Sequence, residues 1–335
     1  MADVLAIFIG DRYGVGPEIV ARLLAENRIP TDVRIVAVGD RAVFARGRAA
    51  VCAGGPYPTV ASLAEARDAN EPWVFLHRPF AAEVAPAGRV SAESGREALD
   101  TFAFLLDAAK QGAVNGIAYA PLNKQSLHLG GHDGAEELDF FRKCLGHEGP
   151  AGEINILDRL WTSRVTSHVP LRAVGDLITR DKVRGAIGLI ADALTRGGRA
   201  NPHIGVAALN PHAGEGGAFG REEIDVIAPA VAEAKAAGFN VDGPWPADTI
   251  FPQAEARGID GVVTMFHDQG QIALKLLGLG RGITLHAGLP VPIATPSHGT
   301  AFDIVGTGKA RIDGLAATVA LISTMIRSAA ADKHA

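Results

Sequence analysis

Three histidines in this chain stand where apolar runs stop: His168 in "TSHVP", His212 in "LNPHAGEGG" and His267 in "FHDQG". Neutral imidazole is the commonest protein ligand for zinc and related divalent ions. Three such groups around an open position would form a Lewis-acid centre able to polarise a substrate hydroxyl or carbonyl. Their separation in sequence is long, so they form no local metal motif. Taken singly, each is more often a hydrogen-bonded group closing a strand. Asp268 adjoins His267, where it could act as a base or orient the ring. Lys275, inside "QIALKLLG", either reaches a substrate or snorkels to solvent. Asp248, in "GPWPADTIF", stays open between base, metal neighbour and helix cap.

The elements that must position these groups show in the hydrophobic pattern. Short apolar runs read as strands at "VLAIFIG" (4–10), "VRIVAVGD" (33–40), "WVFLH" (73–77), "NGIAYAPLNK" (115–124), "EINILD" (153–158), "SRVTSHVPL" (163–171), "HIGVAAL" (203–209) and "IDGVVTMF" (259–266). Helical patterns lie between them, at 91–111, 180–195 and 222–237, with another at 313–331. Such alternation predicts an α/β protein with mainly parallel strands. Ligands in such folds sit beyond the carboxyl ends of the strands. Four of those ends are unusually polar: "YAPLNK", "TSHVP", "LNPHAGEGG" and "FHDQG". The glycines after His212 could present backbone N–H groups to a ligand or simply form a turn before a helix. "PSHGTAFDIVGTGKA" (296–310) could cradle a nucleotide or be a surface loop. "GDRYGVGPE" and "GLGRG" lack the spacing of a dinucleotide fingerprint.

With 335 residues, the chain is long enough for two modest domains or one large α/β body, and with no clear linker two domains would be intimately joined. A net charge of −5 argues against nucleic acid or an anionic membrane as the main partner. Cys52 and Cys144 stand far apart with no CxxC, which points to a reducing, cytoplasmic setting. "MADVLAIFIG" has no basic leader, and "GLAATVALISTMI" is shorter than a bilayer requires, so neither a signal peptide nor a membrane span is expected.

Taken in order, "GDRYGVGPEIV", "VSAESGREALD", "APLNK", "SHVPLR", "LNPHAGEGG", "GPWPADTIF", "HDQGQIALK", "GLGRGI" and "HGTAFDIVGTGKA" resemble the 4-hydroxythreonine-4-phosphate dehydrogenases and their paralogues, from about residue 5 to about 325. The resemblance implies a homodimeric, metal-dependent, NAD- or NADP-linked dehydrogenase with an active site between subunits. It implies an isocitrate/isopropylmalate dehydrogenase-like fold of two α/β subdomains around a central cleft. The nucleotide side would be roughly 1–125 plus 280–335, and the metal and dimerisation side 126–279. It carries metal ligation (Zn, Mg, Mn or Co) onto His168, His212 and His267, and substrate binding onto Lys275. The nucleotide would lie against His298, Gly299, Thr300, Asp303 and Lys309. A base drawn from Asp248, Asp268 or Lys275 would take the hydroxyl proton as hydride leaves for nicotinamide. A β-keto acid product would then lose CO2.

The chain departs from the family's phosphate-binding pattern at four substrate positions. Glu137 and Leu138 stand where a His-Thr pair is expected, Thr284 replaces an Asn, and Ile293 replaces an Arg. Arginine is suited to bidentate phosphate recognition, and an unpaired phosphate facing isoleucine would be costly. The expectation is therefore an unphosphorylated substrate, such as a carboxylated cis-dihydrodiol. The alternatives are a 4-hydroxythreonine-4-phosphate or four-carbon aldonate phosphate dehydrogenase, a non-catalytic ligand-binding paralogue, and metal-dependent hydrolysis.

Overall fold

The computed structural model describes residues 2–80, 87–134, 136–278 and 281–332. The chain divides into two compact units: Met1–Glu148 with Leu289–Ala335, and Gly149–Gly288. Part of the "GLGRG" segment, Leu279 and Gly280, lies outside the described residues, as does Ala135.

The first unit opens with β1 (Val4–Phe8), α1 (Gly16–Ala25), β2 (Arg34–Gly39), α2 (Arg41–Ala50), β3 (Thr59–Val60), α3 (Leu63–Asp68) and β4 (Trp73–His77). It continues with α4 (Ala92–Lys110), β5 (Gly116–Tyr119), α5 (Lys124–Leu129) and α6 (Glu137–Leu145). Most of α5 and all of α6, expected on the metal side, therefore belong to the first unit. The second unit carries β6 (Gly152–Leu157), β7 (Leu160–Arg164), α7 (Val174–Leu177), α8 (Arg180–Arg196), β8 (Ile204–Ala207) and α9 (Ala228–Ala236). It ends with β9 (Val241–Trp245), α10 (Ala247–Gln253), β10 (Gly261–Thr264), α11 (His267–Gly278) and β11 (Ile283–Ala287). The chain then returns to the first unit for β12 (Ile293–Pro296) and α12 (Asp313–Asp332).

In the first unit the strands run β3-β4-β2-β1-β5-β12, every pair parallel. Parallel strands are covered on both faces, so β1 is apolar and buried at all five positions. Phe102 of α4 packs edge-on to Phe8, Tyr119 and Phe141, tying α4 to β1, β5 and α6. Side-chain caps start several helices: Asp40 accepts from Ala42 and Val43, Ser91 from Glu93 and Ser94, and Asn123 from Ser126. Helices α4 and α5 cross so closely that a Cβ at Gly95 would lie 1.8 Å from the Ser126 carbonyl oxygen. Helix α12 is long and apolar enough to cross a membrane by length and composition. Leu315, Val319 and Ile322 are nevertheless fully buried, and the helix lies against β5 and β12 as a core element.

In the second unit the order is β11-β6-β7-β10-β8-β9. The β11–β6 and β6–β7 pairs are antiparallel, and the rest are parallel. Helix α8 buries Val183, Ile187, Ile190 and Leu194, a helical-period stripe. Gly261 on β10 leaves room for that stripe, since a Cβ there would meet Ile190 and Leu194 at 2.9 Å.

Candidate active site

The parallel strands β7, β10 and β8 are neighbours, so their carboxyl ends lie side by side. His168 follows β7 by four residues, in the left-handed region (φ 44°). His267 opens α11 three residues after β10, and the two rings lie 5.4 Å apart, centroid to centroid. Both line a cavity of about 200 Å³ with Thr166, Ser167, Phe266 and Asp268. Asp268 Oδ1 lies 2.7 Å from His267 Nδ1. A carboxylate can only accept there, so Nδ1 is the donor, and the neutral ring would present Nε2 to a ligand.

His212 follows β8 by five residues and does not join that pair in the cavity. Its ring is exposed, with Nδ1 3.6 Å from Glu215 Oε2 and Phe219 edge-on. Six successive residues, His212–Gly217, have positive φ. Glu223 holds the entry to this strained turn: Oε1 accepts from Leu209 N and Asn210 N, and Oε2 from Asn210 Nδ2. Among the described residues, no three His, Cys, Asp or Glu side chains are grouped to hold a metal ion. One chain thus pairs two of the sequence-derived ligands and presents the third separately.

The remaining candidates of the second unit lie on α10, α11 and β11. Asp248 is exposed in the first turn of α10, where Pro246 rather than an aspartate occupies the cap. Lys275 is exposed near the end of α11, the helix that His267 begins. Thr284 on β11 accepts a hydrogen bond from Asn155 Nδ2 at 3.2 Å. Asn155 also accepts from Arg164, which pairs with Glu153 at 2.6 Å.

In the first unit, Ile293 begins β12 opposite Ile117 and is fully buried. Leu138 is 7 % exposed in the first turn of α6, beside the half-exposed Glu137. The loop from His298 to Lys309 is anchored to α1. Val15 N donates to Thr300 O, and Glu18 accepts from Gly306 N and Gly308 N. Asp303 and Lys309 are exposed on it, and a Cβ added at Gly299 would meet open space. The first unit also holds a buried polar group that sequence reading passed over: Arg12 Nη1 is 3.2 Å from Glu97 Oε2. Burial pushes the Glu97 carboxyl up to about 7, with Arg12 pulling it down and Asp40 and Asp11 pushing it further up.

Polar side chains gathered at the carboxyl ends of parallel strands define an α/β enzyme. The sequence profile described as "Pyridoxal phosphate biosynthetic protein PdxA" matches residues 31–322, and the chain belongs to that family. It is an NAD(P)-dependent dehydrogenase. It is 48 % identical over 315 residues to "Putative 4-hydroxythreonine-4-phosphate dehydrogenase 2" of Pseudomonas aeruginosa, covering 92 % of each chain. It is 38 % identical over 319 residues to D-threonate 4-phosphate dehydrogenase of Salmonella typhimurium, covering 95 % of this chain and 97 % of the relative. The crystal structure of 4-hydroxythreonine-4-phosphate dehydrogenase from Klebsiella pneumoniae superposes with a TM-score of 0.82 at 34 % identity, covering 97 % and 98 %.

These similarities correct two expectations. The isocitrate/isopropylmalate dehydrogenase-like fold gives way to the fold of the 4-hydroxythreonine-4-phosphate dehydrogenases. A β-decarboxylating dehydrogenase of Thermococcus kodakarensis reaches a TM-score of only 0.52 at 14 % identity. Alternating apolar runs and helices specify an α/β layering, which is present. Strand order and the antiparallel β11-β6-β7 segment depend on pairings between distant runs, which periodicity does not encode. The unphosphorylated, dihydrodiol-type substrate is overturned as well. The terephthalate dihydrodiol dehydrogenase of Burkholderia xenovorans is more distant, at 29 % identity and a TM-score of 0.68. The physical reason lies in burial. Ile293 and Leu138 are core residues, so their apolar side chains are not a wall set against a phosphate.

Proposed function

We propose that this enzyme oxidises a secondary hydroxyl of a phosphorylated four-carbon hydroxy acid, of the 4-hydroxythreonine 4-phosphate or D-threonate 4-phosphate type. The names of the relatives at 48 % and 38 % identity support the substrate class. The observation that carries the chemistry is the His168–His267 pair opening on one cavity, with the His267 tautomer fixed by Asp268.

The donor set fits a divalent cation: two imidazoles 5.4 Å apart, one with Nε2 available. His168 and His267 would hold it, and His212 of a second copy in a homodimer would complete the set. Such a cation supplies Lewis acidity at the substrate hydroxyl. Asp248, Asp268 and Lys275 are the groups available to take the hydroxyl proton, as the C–H hydride passes to NAD or NADP and the carbinol carbon becomes a carbonyl. Where the oxidised carbon lies β to a carboxylate, the β-keto acid loses CO2. The anchored loop from His298 to Lys309 is the proposed nucleotide contact, with its backbone set by Glu18. Two free cysteines suit a reducing cytoplasm.

The test is nicotinamide reduction with a divalent metal present, comparing 4-phosphohydroxythreonine and D-threonate 4-phosphate with their dephosphorylated forms. Turnover of a phosphoester, abolished by His267→Ala, is expected. Turnover confined to the dephosphorylated compounds would sink the proposal.

A further inference from the structure

We propose that Gln269 and Thr166 are positioning residues for the histidine-bearing strand ends, holding His168 and His267 for the chain's own site and His212 for the site of its partner copy; this deepens the metal reading above and rests on it. The backbone ladders stop short of the histidines. The β7–β10 register ends at Arg164 and Thr264, and the β10–β8 register at Val206 and Val263. Beyond them Val165 N still donates to Thr264 O at 2.8 Å, and two side chains add to such backbone bonds. Gln269 Oε1 accepts from Met265 N at 2.8 Å, while Gln269 Nε2 donates to Ala208 O at 2.9 Å. A backbone N–H requires an oxygen and a backbone C=O requires a nitrogen, so these partners fix the amide orientation. Thr166 Oγ1 donates to Met265 O at 2.8 Å, beside the bond from Thr166 N to the same oxygen at 3.1 Å.

Met265 is thus the node. Its N–H is taken by Gln269 and its C=O by Thr166, and from there Gln269 reaches the end of β8. Thr166 stands two residues before His168, Met265 two before His267, and Ala208 four before His212. Thr166 is 5 % exposed, and Met265 and Ala208 are fully buried, so these bonds are shielded from competing water. Gln269 lies in the first turn of α11, the turn His267 begins, so the same amide also fixes where that helix starts. Metal–nitrogen distances tolerate deviations of only about 0.2 Å, whereas an unclamped strand end can move by more. Groups behind a ligand typically contribute about 10–100-fold to metal affinity.

The experiment titrates the full-length chain with Co2+, following the visible d–d bands and competition with a chelator. Gln269→Met removes both amide bonds at similar size. Gln269→Glu keeps the acceptor for Met265 N but loses the donor to Ala208 O, and it serves if the Met variant does not fold. Thr166→Val removes the hydroxyl bond and Thr166→Ser restores it. The expected result is Co2+ binding weakened about 10–100-fold with altered bands in Gln269→Met, Gln269→Glu and Thr166→Val, and near wild-type behaviour in Thr166→Ser. Wild-type affinity and bands in Gln269→Glu and Thr166→Val would overturn the proposal. A wild-type chain with no Co2+ bands, or bands that survive His267→Ala, would instead overturn the metal reading itself.

Discussion

Glu223 offers a direct test of how the His212 turn is held. Its carboxylate is 3 % exposed and accepts from Leu209 N at 2.9 Å, Asn210 N at 2.8 Å and Asn210 Nδ2 at 3.0 Å. Hydrogen bonds to a charged group contribute about 1.5–3 kcal/mol each, and orphaned backbone donors carry a desolvation cost. Asn210 Nδ2 keeps a second bond, to Glu222 at 2.7 Å, so the two backbone bonds dominate. Glu223→Ala should therefore destabilise the second unit by roughly 3–5 kcal/mol, lowering its unfolding temperature by about 10 °C. Glu223→Gln keeps an oxygen for both backbone N–H groups but makes them neutral bonds, and it turns an NH2 toward Asn210. Its expected cost is about 2 kcal/mol. Because the backbone through His212–Gly216 is strained, it should relax once released. Both variants should then lose kcat/KM, the alanine form by at least about tenfold, since His212, proposed above as a metal ligand, would shift with the turn. Chemical denaturation and steady-state kinetics on the same preparations would read both effects. Glu223→Ala within about 0.5 kcal/mol of wild type, with unchanged kcat/KM, would refute this account of the turn.

Two further outcomes are expected in the first unit. Gly95→Ala should cost about 3 kcal/mol or more, because the added methyl meets the Ser126 backbone oxygen, which cannot swing away; thermal unfolding would show it. Glu97 has a folded-state pKa of about 7 against an ordinary 4.5, so the folded chain holds that proton longer. The stabilisation is complete below pH 4.5 and is lost as pH rises through 7, on the order of 3 kcal/mol in all. Glu97→Gln should flatten this slope in denaturant titrations across that window, and a wild-type chain with no slope there would contradict the assignment.

Legibility of the sequence varied with how local the determining forces are. "WVFLH" reads as β4 to the residue because the apolar run Trp73–Leu76, buried at Val74, Phe75 and Leu76, carries its own signal. Strand ends were overextended. "SRVTSHVPL" reads as one strand, yet β7 ends at Arg164 and His168 already sits in a left-handed turn. The short strands β9, β11 and β12 were not legible, since each is defined by its neighbours rather than by periodicity. The three histidines drew notice through their chemistry. Thr166, Gln269 and Glu223 did not, because their roles are bonds to backbone groups of other strands. The strand-end position of "TSH" and "HDQG" was the available signal. Ile293 misled for a related reason: a residue type says what it could bind, but only burial says whether it faces a ligand.

The return of the chain to the first unit has a consequence for synthesis on the ribosome. Residues 149–288 form one continuous stretch of chain. The first unit, although begun earlier, must wait. The open edge of β5 is closed by β12, and the face around Gly116 is covered by Ile322 and Ile326 of α12, both made after the second unit. Domains generally fold as their chains emerge. Here the nascent first unit carries an unpaired parallel strand from the synthesis of β5 until that of β12, and a bare apolar face until that of α12, a window in which a chaperone has something to hold.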